Sequence, residues 1–172
     1  MIALRADISP PEIQRLLNPA YCACILARYA YSYRLARSSD SVSGVPYPLL
    51  FLCLPLALHS ETRVEVRRHT KTYSLHRLVR EKPSLLISIA ERVNGFTNIT
   101  REALLFGLKY DSLDFDIQAG AVIGKDEFVR KITKSSLGEE AFQPIQAAEL
   151  IGAWFAQLTV AEVFLHLGIQ PY

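Results

Sequence analysis

The most apolar stretch of the chain is a run of fourteen uncharged residues from Val45 to Leu58. A membrane-spanning helix needs about 20 apolar residues, and a run of about 10 to 14 is typical of a buried segment. Pro55 also removes a helical hydrogen bond inside the run. The pattern therefore predicts either a central core helix or part of a partner-facing groove, with Pro46 and Tyr47 exposed at its entry, and no membrane segment.

N-terminal helices are predicted over about residues 9–37. A first start lies at Ser9-Pro10-Pro11, and Asn18 offers a second as an N-cap, with Pro19 at the first helical position. The second helix is rich in tyrosine, whose apolar ring and polar tip suit a half-buried or interface face. The candidate partner-binding tyrosines are Tyr21, Tyr29 and Tyr33.

Loop residues 38–44 and the apolar segment 45–59 lead to a middle region with three predicted short helices. The first can be capped by Ser74. The second ends at Asn94-Gly95, because glycine best accepts the left-handed conformation that closes a helix. The third continues to about Tyr110. The polar residues between the apolar segment and Ser74 are compatible with a strand or a loop.

A β-hairpin is predicted directly after these helices. Three apolar residues alternate with polar ones, as in a half-buried strand, and Ala119-Gly120 permits a tight turn before a partner strand. The alternating apolar residues are Leu113, Phe115 and Ile117. Two helices joined by a short turn and followed by a hairpin indicate a winged helix-turn-helix element over about residues 74–124.

C-terminal helices are predicted over about residues 144–168. Gln143-Pro144 opens the first, and Trp154 lies on its apolar face, as a core residue or as an interface anchor. Thr159-Val-Ala-Glu162 is a capping box for the second, which ends at Gly168. The predicted fold is mainly α with a small β-hairpin: one domain, 1–172, with the winged element packed on N- and C-terminal helices.

Composition is slightly apolar, since 50% of the 172 residues are hydrophobic and 21% are charged. Either a partner covers part of this apolar surface, or the helical core is dense. The net charge of +2 does not indicate attraction to nucleic acid or membrane. Three cysteines in apolar segments and an N-terminus without a signal-peptide core predict a cytoplasmic protein with reduced thiols.

The sequence has no convincing catalytic constellation. Its four histidines are scattered, and none has a carboxylate at the spacing of a metal site or a triad. No glycine-rich loop precedes a Lys-Ser/Thr pair, so no nucleotide site is indicated. We expect a non-enzymatic protein without cofactor or metal.

Nucleic-acid contact has one weak candidate in the basic stretch 61–82. Its candidate phosphate contacts are Arg67, Arg68 and Lys71. A solvated face, or an anchor for a partner's carboxylates, explains the same charges. In the predicted wing, Asp111, Asp114 and Asp116 would repel phosphates, so a winged helix that grips protein is favoured over one that reads DNA.

Four groups of motifs, in order along nearly the whole chain, resemble a known family. They are Asn18-Pro19-Ala20-Tyr21, Pro46-Tyr47-Pro48-Leu49-Leu50-Phe51-Leu52 with Leu54-Pro55-Leu56 and His59, Thr100-Arg101-Glu102-Ala103-Leu104-Leu105-Phe106-Gly107, and Ala147-Ala148-Glu149-Leu150-Ile151-Gly152 with Trp154-Phe155 and Leu167-Gly168. This set is similar to the middle component of bacterial three-component ABC systems. In layout, such systems also resemble the Lamassu anti-phage systems with their small accessory subunit.

The resemblance implies a non-catalytic adaptor that stands between an SMC- or Rad50-like ATPase and an effector, expected to be a nuclease. Such a complex would act against phages or plasmids, with indirect or weak DNA contact. The family has no established catalytic residues to carry over. The alternative is a DNA-binding transcriptional regulator that uses the winged helix.

Overall fold

The computed structural model describes residues 17–37 and 44–170. The helix predicted from residue 9 and loop residues 38–43 lie outside this part. The helices are α1 Pro19–Ala36, α2 Tyr47–Ala57, α3 Ser60–Val66, α4 Leu75–Glu81, a 3₁₀ turn Pro83–Leu86, α5 Ile89–Lys109, α6 Asp126–Lys131, α7 Lys134–Leu137, α8 Glu139–Phe155 and α9 Val160–Leu167. The strands are β1 Val45–Pro46, β2 Leu113–Asp116 and β3 Ala121–Gly124. A mainly helical fold with a small antiparallel sheet is thus confirmed.

Helix α1 is the centre of the molecule. It begins as predicted, with the Asn18 carboxamide oxygen accepting from Ala20 N at 2.8 Å and Pro19 in the first turn. Helices α2, α5, α6 and α8 and strand β3 all pack against it. Its apolar residues are therefore buried around most of its circumference, because neighbours surround the helix.

The apolar run folds into α2 and is a core helix along most of its length. Leu49, Leu50, Leu52 and Leu54 are fully buried, which confirms the predicted core role. Two arginine side chains donate hydrogen bonds to backbone carbonyls at the C-terminal end of α2, where these carbonyls have no partner within the helix. Arg92 Nη1 donates to Pro55 O at 3.2 Å, and Arg63 Nη1 donates to Leu58 O at 3.1 Å.

The polar stretch after α2 forms a helix, so the prediction of a strand or loop was wrong for its first half. Helix α3 spans Ser60–Val66, and His59 Nδ1 caps it by accepting from Thr62 N at 3.4 Å. Thr62 and Val66 are buried at helical spacing, four residues apart. The alternation of polar and apolar residues that suggested a strand is short, and a short alternation is also compatible with a helix.

The prediction that a helix ends at Asn94-Gly95 was wrong as well. Helix α5 runs unbroken from Ile89 to Lys109, and Gly95 does not take a positive φ. Packing of α5 on α1 and α2 outweighs the local tendency of Asn-Gly to close a helix. With one helix in place of two, no turn is formed at Asn94-Gly95, and the winged helix-turn-helix predicted over about residues 74–124 is not confirmed.

The hairpin was predicted correctly, and it gains a third strand. In β2, Phe115 pairs with Val122 of β3 in antiparallel register, and Val45 of β1 pairs with the same Val122 from the other side. The strand order is β1-β3-β2. Tyr47 N also donates to Gly120 O at 2.9 Å, so the start of α2 is fastened to the hairpin turn.

The C-terminal helices follow the predicted signals with one shifted boundary. Helix α8 begins at Glu139, earlier than Gln143-Pro144. The capping box of α9 is present, since Glu162 N donates to Thr159 Oγ1 at 3.2 Å, and Gly168 ends the helix with φ 67°. In the described part of the chain, no single helix is long and apolar enough to cross a membrane; only the bent pair α8–α9 reaches those limits jointly.

Two glycines allow β3 and α8 to approach the backbone of α1. A Cβ atom on Gly152 of α8 would lie 2.5 Å from Tyr29 O, and one on Gly124 of β3 would overlap Ala27 O. Neither neighbour is the flexible end of a side chain, so neither can move aside cheaply. The core therefore depends on glycine at both positions.

We expect the substitution Gly152→Ala to lower the free energy of unfolding by about 1–3 kcal/mol, the usual cost of overpacking a core. Denaturant unfolding followed by circular dichroism measures this change. The matched control is Gly95→Ala inside α5, which should be neutral or stabilising by up to about 1 kcal/mol. Equal stability of Gly152→Ala and the unchanged chain would contradict the close contact between α1 and α8.

Candidate partner-binding surface

Three of the six predicted partner-binding residues lie in the core. Tyr29, Tyr33 and Trp154 are buried almost completely. Their polar tips are nevertheless satisfied, as buried aromatic donors require: Tyr29 OH donates to Leu49 O at 2.8 Å, and Trp154 Nε1 donates to Thr70 O at 2.9 Å. In this structure these side chains join elements of the fold and present no surface to a partner.

Tyr21, at the start of α1, is neither fully buried nor fully exposed. Its ring is half-buried, and its hydroxyl donates to Ala141 O in the first turn of α8 at 2.7 Å. Burial raises the pKa of Tyr21 above its usual value, although the nearby Arg63 guanidinium acts in the opposite direction. The phenol therefore stays neutral and links α1 to α8.

Pro46 and Tyr47 lie at the edge of an exposed apolar surface, which we call the aromatic corner. Its members are Tyr47, Phe51, Phe115 and Ile117. The Tyr47 ring meets the rings of Phe51 and Phe115 edge-to-face, at centroid distances of 5.1 and 5.9 Å. Tyr47 remains 36% exposed, and Ile117 in the hairpin turn is 85% exposed. Apolar groups that stay exposed beside a cluster of aromatic rings are typical of protein-binding sites.

The sequence pointed to only part of this corner. Strand alternation placed Phe115 on the same face of β2 as the buried Leu113, whereas Ile117 lies beyond the strand, in the turn, and an apolar face is normally assigned to the core. The missing information was strand β1, whose pairing with β3 brings Tyr47 to the hairpin. A strand of two residues has no periodicity that a sequence could reveal.

The three predicted phosphate-contacting cations all have acceptors within the chain. Arg67 Nε donates to Gln146 Oε1 at 3.0 Å, Arg68 pairs with Glu65 at 3.1 Å, and Lys71 Nζ pairs with Glu149 at 2.7 Å. Arg68 and Lys71 remain exposed, whereas Arg67 is half-buried. The arrangement is that of a solvated face with part of its charge neutralised.

Glu149 is a half-buried carboxylate that pairs with two cations on this side of the molecule. Besides Lys71, it accepts from Arg28 Nη1 of α1 at 3.0 Å. Burial raises the pKa of this carboxyl, but the hydrogen bonds and charges of Lys71 and Arg28 outweigh burial and hold it below its usual value. Glu149 thus joins α8, α1 and the segment between α3 and α4.

Metal-binding clusters and activated thiols are both missing from the described residues. The described residues contain no group of three or more His, Cys, Asp or Glu side chains placed to hold a metal ion. Burial raises the pKa of Cys22 to about 12 and also raises the pKa values of Cys24 and Cys53, so these thiols stay protonated and unreactive.

We expect Glu149→Gln to lower the free energy of unfolding at pH 7 by about 1–2 kcal/mol, because charge-assisted hydrogen bonds are lost. A carboxyl whose pKa is depressed by folding stabilises the native state above its unfolded pKa of about 4.3. That stabilisation disappears as the pH falls through the lower folded pKa. Urea unfolding between pH 7 and pH 3 should therefore show the two proteins converging in acid. A constant difference would contradict this role.

Comparison with known proteins gives one match. No curated protein and no solved structure matches the chain. A family model described as "ABC-three component (ABC-3C) system Middle Component 3" matches residues 6–171. The match includes all elements of the fold and confirms the resemblance seen in the ordered motifs. The chain therefore belongs to the Middle Component 3 family of ABC-three component systems.

Proposed function

We propose that this chain is the non-catalytic accessory subunit of a cytoplasmic bacterial defence complex. In this proposal it stands between an SMC- or Rad50-like ABC ATPase and an effector, for which a nuclease is expected, and the complex acts against phages or plasmids. The family match over residues 6–171 carries the proposal, because a middle component is one part of a three-component system. ATP-driven rearrangement on foreign DNA would then release or assemble the effector.

The aromatic corner supports this role as the surface that docks on another component. Aromatic side chains provide large contact areas and dominate the energetics of many interfaces. Tyr47 and Phe115 are also held in place by edge-to-face ring packing and by the hydrogen bond from Tyr47 N to Gly120 O. A rigid surface loses little conformational freedom on binding, which favours affinity.

The alternative of a DNA-binding regulator has less support. It needed two helices joined by a turn, with the second in the major groove. The turn predicted at Asn94-Gly95 is absent, since residues 89–109 form one continuous helix, and exposed Asp111 and Asp114 lie at the start of the hairpin. We retain only a weak DNA contact within the complex, through Arg67, Arg68 and Lys71.

The double substitution Tyr47→Asp with Ile117→Asp should remove the chain from its complex, because two charges would be buried in an apolar interface. We expect the affinity for the docking component to fall at least about tenfold. Co-expression with the neighbouring gene products, followed by affinity purification, measures the loss. Circular dichroism checks that the variant is folded.

Leu165→Asp is the matched control, since Leu165 of α9 is 76% exposed and lies outside the aromatic corner. This control should purify with the complex like the unchanged chain. If the double variant also purifies normally, the aromatic corner does not bind the other components. If the unchanged chain associates with none of them, the accessory role itself is wrong.

DNA contact through the basic segment predicts a change in salt dependence. For the assembled complex, Arg68→Ala with Lys71→Ala should make the slope of log binding constant against log salt concentration less steep by about 2. Fluorescence anisotropy with duplex DNA measures the slope. Arg130→Ala with Lys131→Ala removes two exposed cations from α6 and should leave the slope unchanged. Equal effects of both pairs would contradict a contact at Arg68 and Lys71.

A further inference from the structure

The outer face of α5 carries apolar residues that no other element covers. Leu105 is 67% exposed, and Leu108, three residues further along, is also exposed. The opposite face of the same helix is buried through Ala103, Leu104 and Gly107. The last three turns of α5 thus have a packed side and an unpartnered side.

Helical spacing places two pairs of residues on either side of Leu105 on the unpartnered side of α5. Residues seven apart lie two turns apart on the same edge of a helix. Arg101 and Leu108 therefore form one edge of the face, and Glu102 and Lys109 form the other. Within the described residues, neither Arg101 nor Glu102 takes part in an ion pair, and Lys109 lies 5.3 Å from the ring of Tyr110. We call this set of five residues the α5 face.

We propose that the α5 face binds the α5 face of a second copy of this chain, with the two helices antiparallel about a two-fold axis at Leu105. A two-fold axis in this position brings each edge against the same edge of the other copy, in reverse order. Glu102 then meets Lys109 of the second copy, and Lys109 meets its Glu102. Leu105 packs on its own counterpart, and Leu108 packs along the aliphatic part of the other Arg101.

The charge pattern selects a second copy as the occupant. Glu102 precedes Lys109 by seven residues, with Leu105 about midway. When the same edge of a second copy runs in the opposite direction, the acid of each copy therefore meets the base of the other. A parallel pair would bring the edge of Glu102 and Lys109 against the edge of Arg101 and Leu108, so that Lys109 would have no acidic partner. A helix of another protein would need the same pattern by coincidence, whereas a second copy has it by identity.

This inference is independent of the proposed function. The α5 face shares no residue with the aromatic corner, so a dimer would leave both aromatic corners open. The contact covers about two helical turns, which is small for a protein interface, so we expect a weak dimer whose affinity falls with added salt.

Sedimentation velocity of the full chain, at concentrations up to about 0.5 mM and low ionic strength, tests the dimer. Glu102→Lys and Lys109→Glu should each raise the dissociation constant at least about tenfold, because two attractive contacts become repulsive. An equimolar mixture of the two variants should dimerise again, since both ion pairs re-form between unlike copies. Leu105→Glu should be monomeric, with or without a partner variant.

Glu91→Lys is the control, because Glu91 is an exposed acid on the same helix, about four turns away from Leu105. It should dimerise like the unchanged chain. A monomeric native chain, or a dimer unaffected by Leu105→Glu, overturns the proposal. If the two charge variants stay monomeric when mixed, the antiparallel arrangement is wrong. If the α5 face becomes protected only when another component is added, its occupant is that component and not a second copy.

Discussion

The structure depends on the close approach of two elements to the backbone of α1. Gly152 brings α8 against Tyr29 O from one direction, and Gly124 brings β3 against Ala27 O from another. Contacts at such short range leave no room for a side chain, so the positions of α8 and β3 are set by backbone shape. The contact between α1 and α8 also contains a hydrogen bond, which Ser32 Oγ donates to Glu149 O at 2.6 Å.

This constraint extends to the surface through the sheet. Because β3 is held on α1, its two neighbours β1 and β2 are placed as well, and with them Tyr47 and Phe115. The aromatic corner is therefore built on the least adjustable part of the fold. The proposed adaptor role, in which the chain holds two other proteins in a defined geometry, requires such a rigid surface.

Local signals predicted much of the fold. The Asn18 cap, the capping box at Thr159 and the hairpin turn at Gly120 depend on a few neighbouring residues, and all three are present. The break expected at Asn94-Gly95 failed because packing along α5 is a long-range effect that local rules do not include. The ordered motifs indicated the family because they are distributed along nearly the whole chain, whereas a capping or turn signal involves only a few neighbouring residues.

The candidate surface was harder to predict than the fold. A tyrosine-rich helix has the same sequence whether its rings face a partner or the core, and Tyr29 and Tyr33 turned out to face the core. Burial around most of the circumference of α1 depends on neighbours far away in sequence. Tyr47 was found because it enters the apolar run beside Pro46, whereas Phe51 and Phe115 became candidates only through their ring contacts with Tyr47.

Hydrogen exchange measured by mass spectrometry tests the central claim most directly, namely that this accessory subunit meets its complex through the aromatic corner. Exchange is compared between the isolated chain and the chain assembled with the other components. The account predicts new protection in peptides covering residues 44–51 and 113–120. Protection confined to other segments, such as α4 or α9, with unchanged exchange at the corner, would contradict the account.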